Sequence, residues 1–392
     1  MLKRLIKPQF LILFPVLVSF LTWMVDWSDQ WSIGYVVKES IELSSGIILF
    51  SFYLITFIGA IFGFTLGGGV KKLNIYGLVT PEVLLLWTTV LASIGVIASY
   101  AEINSNMNIF SIEVGEGNLL RQGLEYSAGI RTLRYASIVS FALSFSFRKK
   151  YLFKFLNLVL LLLGAMIASR MSIVIACFLI IHINSNKISI SDFTKYCSFF
   201  IVSILILNWL RNMNYYFLIN GDFSIFLAGL QEIIKYVGTP FQAQFGILNS
   251  NIDFSSGSIV EILKGILYFF IPSFLQPSDG AFFLVDMNKL GEYRDFIDID
   301  PNLSTNSIFV EMYSVIGFYC FPYMFFCAIF FSALFRIFNR ENIAGKVISG
   351  LIGYCFLEVW RVYTFNSGII IFNIILIFSI CIFYNIKNKF YK

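Results

Sequence analysis

Ten apolar segments run through this chain with little between several of them, and they leave few folds open to it. The hydrocarbon core of a bilayer is crossed by a helix of roughly 20 apolar residues. Inside it every backbone N–H and C=O must be bonded within the segment, which leaves helices or closed barrels. Apolar runs at helical rather than alternating spacing point to helices. The chain has 392 residues, 58% of them hydrophobic and only 13% charged, and a mean hydropathy of +0.80. A soluble domain carries about 25% charged residues. The expected fold class is an all-α polytopic membrane protein with about ten, and at most twelve, transmembrane helices.

The spans are expected at Phe10–Met24, Ser45–Thr65, Val83–Ala98, Thr132–Phe147, Tyr151–Ala168, Met171–Ile183, Tyr196–Leu210, Ile308–Phe335, Ala344–Val359 and Gly368–Tyr384. The fourth, fifth and sixth follow one another as tight hairpins. The eighth is long and contains Gly317 and Pro322, so a tilt, a kink or a partly re-entrant course is expected there. Met1 to Lys7 is a basic start, but no small-residue cleavage site follows the first apolar run, which reads as a retained helix. With the N-terminus inside and ten alternating crossings, the inner loops collect 17 Lys/Arg and 3 Asp/Glu, and the outer side collects 11 and 20. That distribution satisfies the positive-inside rule and places both termini in the cytoplasm. The net charge of +5 is then an effect of topology, with no implication of nucleic-acid binding.

The chain reads as one integral domain, 1–392, with two outer elaborations. The smaller, 101–130, is polar and acidic. The larger, 211–307, contains Tyr215–Leu230 and Ile259–Phe274, whose spacing predicts amphipathic helices at the interface. Either is alternatively a short membrane dip. Gly67 to Gly69 reads as a turn on the inner side, since it lacks the strand that precedes a phosphate loop. The six cysteines fall in or at apolar segments, and the single histidine, His182, lies at an inner helix end. Neither a disulfide framework nor a zinc site is expected.

Arginine is distributed unevenly. Of the 17 inner basic residues 13 are lysine, whereas 7 of the 11 outer ones are arginine. The planar guanidinium fork suits phosphate and carboxylate, while lysine serves as a plain topological charge. Arg131 and Arg134 stand three apart at the outer, N-terminal end of the fourth span, where the helix dipole disfavours a cation and free N–H groups favour an anion. Ser169 and Arg170 open the sixth span in the same way. The functional reading is an anion cradle large enough for pyrophosphate; the bland one is that a nearby acid, such as Glu125, neutralises them. Arg211 is expected to close the seventh span, where a cation also suits the dipole without any function. Glu358 and Arg361, three apart, read first as a structural ion pair. The run from Glu292 through Tyr293, Arg294 and Asp300 to Asn302 is the most polar in the chain and leads into the eighth span. Its carboxylate spacing matches no metal loop, and Arg, Asn, Tyr and Asp side chains together suit a sugar. Glu311, one turn into that span with Tyr313 near it, is either a base for a sugar hydroxyl or a partner for an arginine.

These features resemble the bacterial oligosaccharide repeat-unit polymerases, the Wzy type of O-antigen and capsule polymerase. The resemblance rests on the span count, the large late outer loop, the outer arginines, the Pro301-Asn302-x-Ser/Thr-Asn…Tyr-x-x-x-Gly317 pattern and Ala168 to Ser172. It implies a glycosyltransferase of the bacterial inner membrane, with no cofactor or metal. Donor and acceptor would be glycans on undecaprenyl pyrophosphate, with a chain-length regulator as a further partner. It also implies that Arg131, Arg134 and Arg170 hold pyrophosphate and that the region of Arg211 and Arg294 holds glycan. A lipid-linked sugar flippase or transporter is the alternative of a different class. It ranks lower because no internal repeat is visible. An O-antigen ligase is a further one, weakened by the lack of an outer histidine.

Overall fold

A computed structural model describes residues 5–25, 35, 37–70, 79–109, 119–120, 122–124, 129–147, 151–167, 171–186, 188–220, 225–250, 259–275, 307–339 and 342–390. Among these residues there are helices and no strand. The α-helices are α1 (Pro8–Met24), α2 (Leu43–Gly69), α3 (Pro81–Asn106), α4 (Ala136–Ser144), α5 (Tyr151–Ile167), α6 (Met171–Ile183), α7 (Ile190–Asn220), α8 (Ile225–Asn249), α9 (Ile259–Phe270), α10 (Ile308–Ile316), α11 (Cys320–Phe338), α12 (Ile343–Leu357) and α13 (Gly368–Phe390). A 3₁₀ turn, Ile130–Tyr135, leads into α4, and another, Gly317–Tyr319, joins α10 to α11.

Four helical stretches are long and apolar enough to cross a membrane: α2, α3, the composite Ile308–Phe338, and Gly368–Ile386 within α13. Helices α1, α5, α6 and α12 are apolar but shorter. The outward faces of α2 and α3 are apolar, with Phe50, Phe62, Leu66 and Ile97 each more than half exposed. A soluble protein does not leave such faces in water. The described residues are thus those of a helical membrane protein, with large apolar side chains on outward faces as well as in the core.

Starts of helices are set by local polar groups. Thr80 Oγ1 accepts from Val83 N at 3.4 Å ahead of Pro81. Asn342 Oδ1 accepts from Ala344 N and Gly345 N at 3.1 and 3.3 Å. Ser189 and Asp192 form a reciprocal box at the start of α7: Asp192 N donates to Ser189 Oγ at 3.1 Å, and Ser189 N to Asp192 Oδ2 at 3.3 Å. Each satisfies N–H groups that a first turn otherwise leaves unbonded.

The tightest helix pair is α2 against α11. Gly59, Gly63 and Gly67 recur every four residues, so they form one bare stripe along α2. A Cβ at Gly59 would lie 2.6 Å from the Phe325 carbonyl oxygen, and one at Gly67 2.5 Å from that of Ala333. At Gly63 it would collide with the backbone of Ile329. Ala328 and Ser332 answer the stripe from α11, and Ser332 Oγ donates to the Ala60 carbonyl at 2.6 Å. Small residues let two backbones close up where no hydrophobic force drives helices together. Gly67 to Gly69 are therefore the last turn of α2, and not a turn after it, because Gly67 is needed for this contact.

Several expected boundaries move. The eighth segment is two helices, broken where Gly317 takes φ 53°, a conformation costly for any residue with a Cβ. Pro322 falls in the first turn of α11, where its missing N–H is harmless. Helix α7 runs on through Asn220, so Arg211 lies within it instead of closing it. Of the expected helix Tyr215–Leu230, residues 215–220 end α7 and 225–230 begin α8, while 221–224 lie outside the described residues. Helix α8 packs into the core. Trp23 of α1 stacks on Phe245 with centroids 4.8 Å apart, and its Nε1 donates to Gln242 Oε1 at 3.0 Å. Within the expected Ile259–Phe274 a helix does form, α9, with Ile259, Leu263, Leu267 and Phe270 exposed and Gly265 and Phe269 buried.

The connection between α12 and α13 folds back into the bundle. Phe365 packs on Phe331 and Phe356, and Cys355 Sγ lies 3.5 Å from the Thr364 carbonyl. Irregular backbone at that depth is tolerated where protein surrounds it. The dip explains why α12 is only 15 residues long.

Candidate functional site

Irregular backbone concentrates at one end of the bundle. The turn 130–135 sits there, against the last turns of α5: a Cβ at Gly164 would meet Ser137 Oγ at 3.7 Å and the Arg134 carbonyl at 3.9 Å. Helix α6 starts from that end and runs beside α12, since Phe178 faces Tyr354 and His182 Nε2 lies 2.8 Å from Ser349 Oγ. The end of α12, the dip that follows and the start of α10 are therefore at the Arg134 end. His182 is at the other.

The turn 130–135 is held by Thr132 N donating to the Gly129 carbonyl at 2.9 Å. Residues three apart eclipse one another in a 3₁₀ turn, so Arg131 and Arg134 fall on one side of it. Gly95 of α3 makes room: a Cβ there would collide with Arg134 N and the Leu133 carbonyl carbon. The two arginines differ in their neutralisation. Arg131 is ion-paired with Glu102 of α3, with side-chain exposures of 13% and 23%. Arg134 meets neutral groups. Its Nη1 donates to Ser99 Oγ and to the Arg131 carbonyl at 3.3 Å each, and its Nη2 to Tyr135 Oη at 3.2 Å. The Tyr135 ring lies 4.8 Å from the guanidinium carbon. Arg134 Nε is buried and has no hydrogen-bond partner among the described residues. Among the described residues no carboxylate stands beside this half-buried guanidinium, and such a charge is costly unless an anion completes it.

A second cluster is built from α10 and the dip. Ser307 N donates to the Arg361 carbonyl at 2.8 Å, and Tyr363 N donates to Glu311 Oε2 at 3.1 Å. Ser307 is fully buried and holds φ 73°. Such a backbone costs about 1–3 kcal/mol and persists where its surroundings fix it; here its side chain also caps α10 by accepting from Val310 N at 3.3 Å. Glu358 is buried and takes two bonds: Tyr354 Oη donates to Oε1, and Arg361 Nε donates to Oε2 at 2.7 Å. The pair expected between Glu358 and Arg361 thus exists, and it uses Nε alone. The terminal nitrogens of Arg361 have no hydrogen bond among the described residues, and its side chain is 20% exposed. Glu358 orients the fork and leaves its outer edge open.

Glu311 is engaged as a clamp on the dip. It also lies beside Tyr268 of α9, whose phenol is pushed above its ordinary range by burial first and by that carboxylate second. Tyr313 stacks on Phe309 with centroids 5.2 Å apart and is 8% exposed, which makes it a core ring. Below this cluster lies an apolar cavity of about 540 Å³ between α9, α11 and the dip.

The structure brings Glu311 and Arg361 to the same cluster at the dip, turns Tyr313 into the core against Phe309 and Phe318, and places Arg131 and Arg134 on a separate turn. Arg170, Tyr293, Arg294 and Asn302 lie outside the described residues, as does the side chain of Arg211. Sequence reasoning missed Glu102, because the third span was ended at Ala98, one turn before it. It also missed Gly95 and Tyr354, which carry no local signal: one matters for a missing atom, the other for a bond that only the fold creates. Among the described residues no group of His, Cys, Asp and Glu has the arrangement of a metal site. No family model, curated protein or solved structure matches the chain.

Proposed function

We propose that this protein joins lipid-linked oligosaccharide repeat units into O-antigen or capsular polysaccharide, by glycosyl transfer at the outer leaflet of the bacterial cytoplasmic membrane. In this reading the chain crosses ten times with both termini inside, and the Arg134 end faces outward. The observation that carries it is Arg134, a half-buried guanidinium with neutral partners and an unmet Nε at the entrance to α4. A pyrophosphate is the anion that such a position suits. The outward excess of arginine and the open fork of Arg361 add to the same reading.

The donor would be a glycan on undecaprenyl pyrophosphate, and the acceptor a sugar hydroxyl on an incoming lipid-linked unit. The acceptor oxygen bonds to the donor's anomeric carbon as the bond from that carbon to pyrophosphate breaks. The electron pair leaves with the pyrophosphate, and the hydroxyl proton passes to a base or to water. Arg134, with Arg131 three residues before it and Arg170 directly ahead of α6 in the sequence, would stabilise charge growing on the leaving group. Such preorganised donors contribute roughly 3–4 kcal/mol each. Arg211, Tyr293, Arg294 and Asn302 would hold glycan, with Glu311 and Arg361 at its lipid end.

The test is the surface glycan ladder of cells lacking the gene, complemented with wild type or Arg134→Ala. Short single-unit glycans with the deletion and with R134A, and long chains with wild type, are expected. A deletion strain with an unchanged ladder would overturn the assignment. Loss of every unit, single ones included, would point instead to transport or ligation.

A further inference from the structure

A carboxylate stands at the edge of the anion site, beside Arg131. One stripe of α3 meets the turn 130–135: Gly95, Ser99 and Glu102 follow at intervals of four and three, which is a single helix face. Gly95 admits the backbone of Leu133 and Arg134. Ser99 Oγ donates to the Gly95 carbonyl at 2.8 Å, which leaves its lone pairs for Arg134 Nη1 at 3.3 Å. Glu102 Oε1 accepts from Arg131 Nη1. One face thus offers a neutral oxygen to one arginine and a charged oxygen to the other. Arg134 Nη1 also donates to the Arg131 carbonyl at 3.3 Å, so the two arginines are held at one place. Stabilising a leaving anion gives no reason for a negative charge here.

A fixed carboxylate in an anion site competes with whatever the site binds. An anion that takes both arginines must part Arg131 from Glu102 and then lie beside the carboxylate it displaced. The cost of that juxtaposition rises with the anion's own charge. The order of charges matters in glycosyl transfer. The donor's pyrophosphate is esterified at both ends. When the bond to the anomeric carbon breaks, one ester is lost and a further negative charge stays on the oxygen that carried it. The product is therefore the species that two arginines hold most tightly and that Glu102 opposes most. We propose that Glu102 is an internal counter-anion that limits the hold of the Arg131–Arg134 site on its pyrophosphate product. Arg131 leaves Glu102 as pyrophosphate fills the site and returns to it as the product departs. The two side chains are 13% and 23% exposed, so the exchange takes place at the rim of the fold. Glu102 acts through Arg131 and is a positioning residue. That the pyrophosphate belongs to a glycan carrier rests on the glycosyl-transfer reading; the competition between Glu102 and a bound anion does not.

The experiment uses the full-length protein in phosphatidylcholine nanodiscs and inorganic pyrophosphate as the probe, with binding read by titration calorimetry. Glu102→Gln keeps the shape of the side chain and loses its charge. It is expected to bind pyrophosphate more tightly than wild type by about tenfold or more, and to lose that binding when Arg134→Ala is added. A merely structural pair gives the opposite sign, since breaking it loosens the turn and weakens the site. Unchanged or weaker binding in Glu102→Gln would overturn the proposal, as would binding that survives Arg134→Ala or no binding by either protein. Wild type alone decides the matter should the glutamine variant fail to insert. Modification of Glu102 by a water-soluble carbodiimide, read by mass spectrometry, is expected to rise with saturating pyrophosphate, and a constant or lower yield sinks the exchange. A glycan ladder that depends on the gene, together with no gain of affinity in Glu102→Gln, removes the role of Glu102 alone. A gain of affinity in a protein whose deletion leaves the ladder unchanged removes the glycosyl-transfer reading alone.

Discussion

At the scale of single residues, the arginines divide by what surrounds them more than by where they stand. Arg131 has Glu102, Arg361 has Glu358, and Arg134 has neutral oxygens and a ring. Lysine at 134 would keep the charge and lose the fork, so Arg134→Lys is expected to shorten the glycan ladder strongly while leaving the protein inserted. Wild-type chain length in that variant would show that a point charge suffices there. Glu358 holds Arg361 from a buried position, and breaking a buried pair by removing one partner costs about 3–5 kcal/mol. Arg361 is partly exposed, so Glu358→Gln is expected near the lower limit, seen as a marked fall in the melting temperature of the detergent-solubilised protein. A third residue-scale effect depends on pH. Asp192 is exposed, and hydrogen bonds from Ser189 hold its carboxyl below the usual aspartate range. A depressed folded value means that the contribution to stability is present above the ordinary aspartate range and is lost as pH falls through the lower, folded value. Amide exchange in the first turn of α7, corrected for intrinsic rates, is expected to quicken over that acidic window in wild type and to be insensitive to it in Asp192→Asn.

At the scale of elements, contacts between backbones decide the geometry, and glycine marks them. Gly63 has the Ile329 backbone where a side chain would go, so Gly63→Leu must part α2 from α11. Overpacking of this kind costs about 1–3 kcal/mol, to be read as a lower melting temperature, with Gly46→Leu, which meets open space, as the silent control. How much of this was legible follows from the same physics. Apolar length located most of the helices, because an apolar segment must satisfy its own backbone, but only four stretches are long and apolar enough to cross a membrane, and the fourth expected span, Thr132–Phe147, is a 3₁₀ turn followed by the nine-residue α4. Ends were placed less well: Glu102 and Arg211 are charged residues carried inside helices that outrun their apolar stretches. The break at Gly317 was foreshadowed by Gly317 and Pro322. The dip at 362–366 was not, because Thr364 and Phe365 look like any loop until Cys355, Phe331 and Phe356 surround them. The glycine stripe of α2 was present in the sequence at a spacing of four. Its meaning depends on Ala328 and Ser332, which lie far along the chain.

At the scale of the whole molecule, the question is which end of the bundle meets the cytoplasm. The two ends differ in chemistry. The His182 end carries Lys7 and Arg336 around the ring of Phe64, at 5.4 and 4.4 Å, while the Arg134 end carries Glu102, Glu311 and Glu358. An excess of basic residues marks the cytoplasmic side of a membrane protein, and acidic residues contribute little to that choice. Lysine near His182 and arginine held by acids near Arg134 then have different causes, one topological and one chemical. This arrangement predicts the outcome of a labelling experiment in a background with all six cysteines replaced. A single cysteine at Ser105, just past the Glu102 turn of α3, is expected to react in intact spheroplasts with a maleimide that cannot cross the membrane. One at Ser185, just past His182, is expected to react only after permeabilisation. The reverse pattern would place Arg134 in the cytoplasm, where nucleotide-activated sugars are available and an exported carrier is not. A glycosyl transfer driven by a lipid pyrophosphate at the outer leaflet would then have no substrate to act on, whatever the affinity of the arginines for anions.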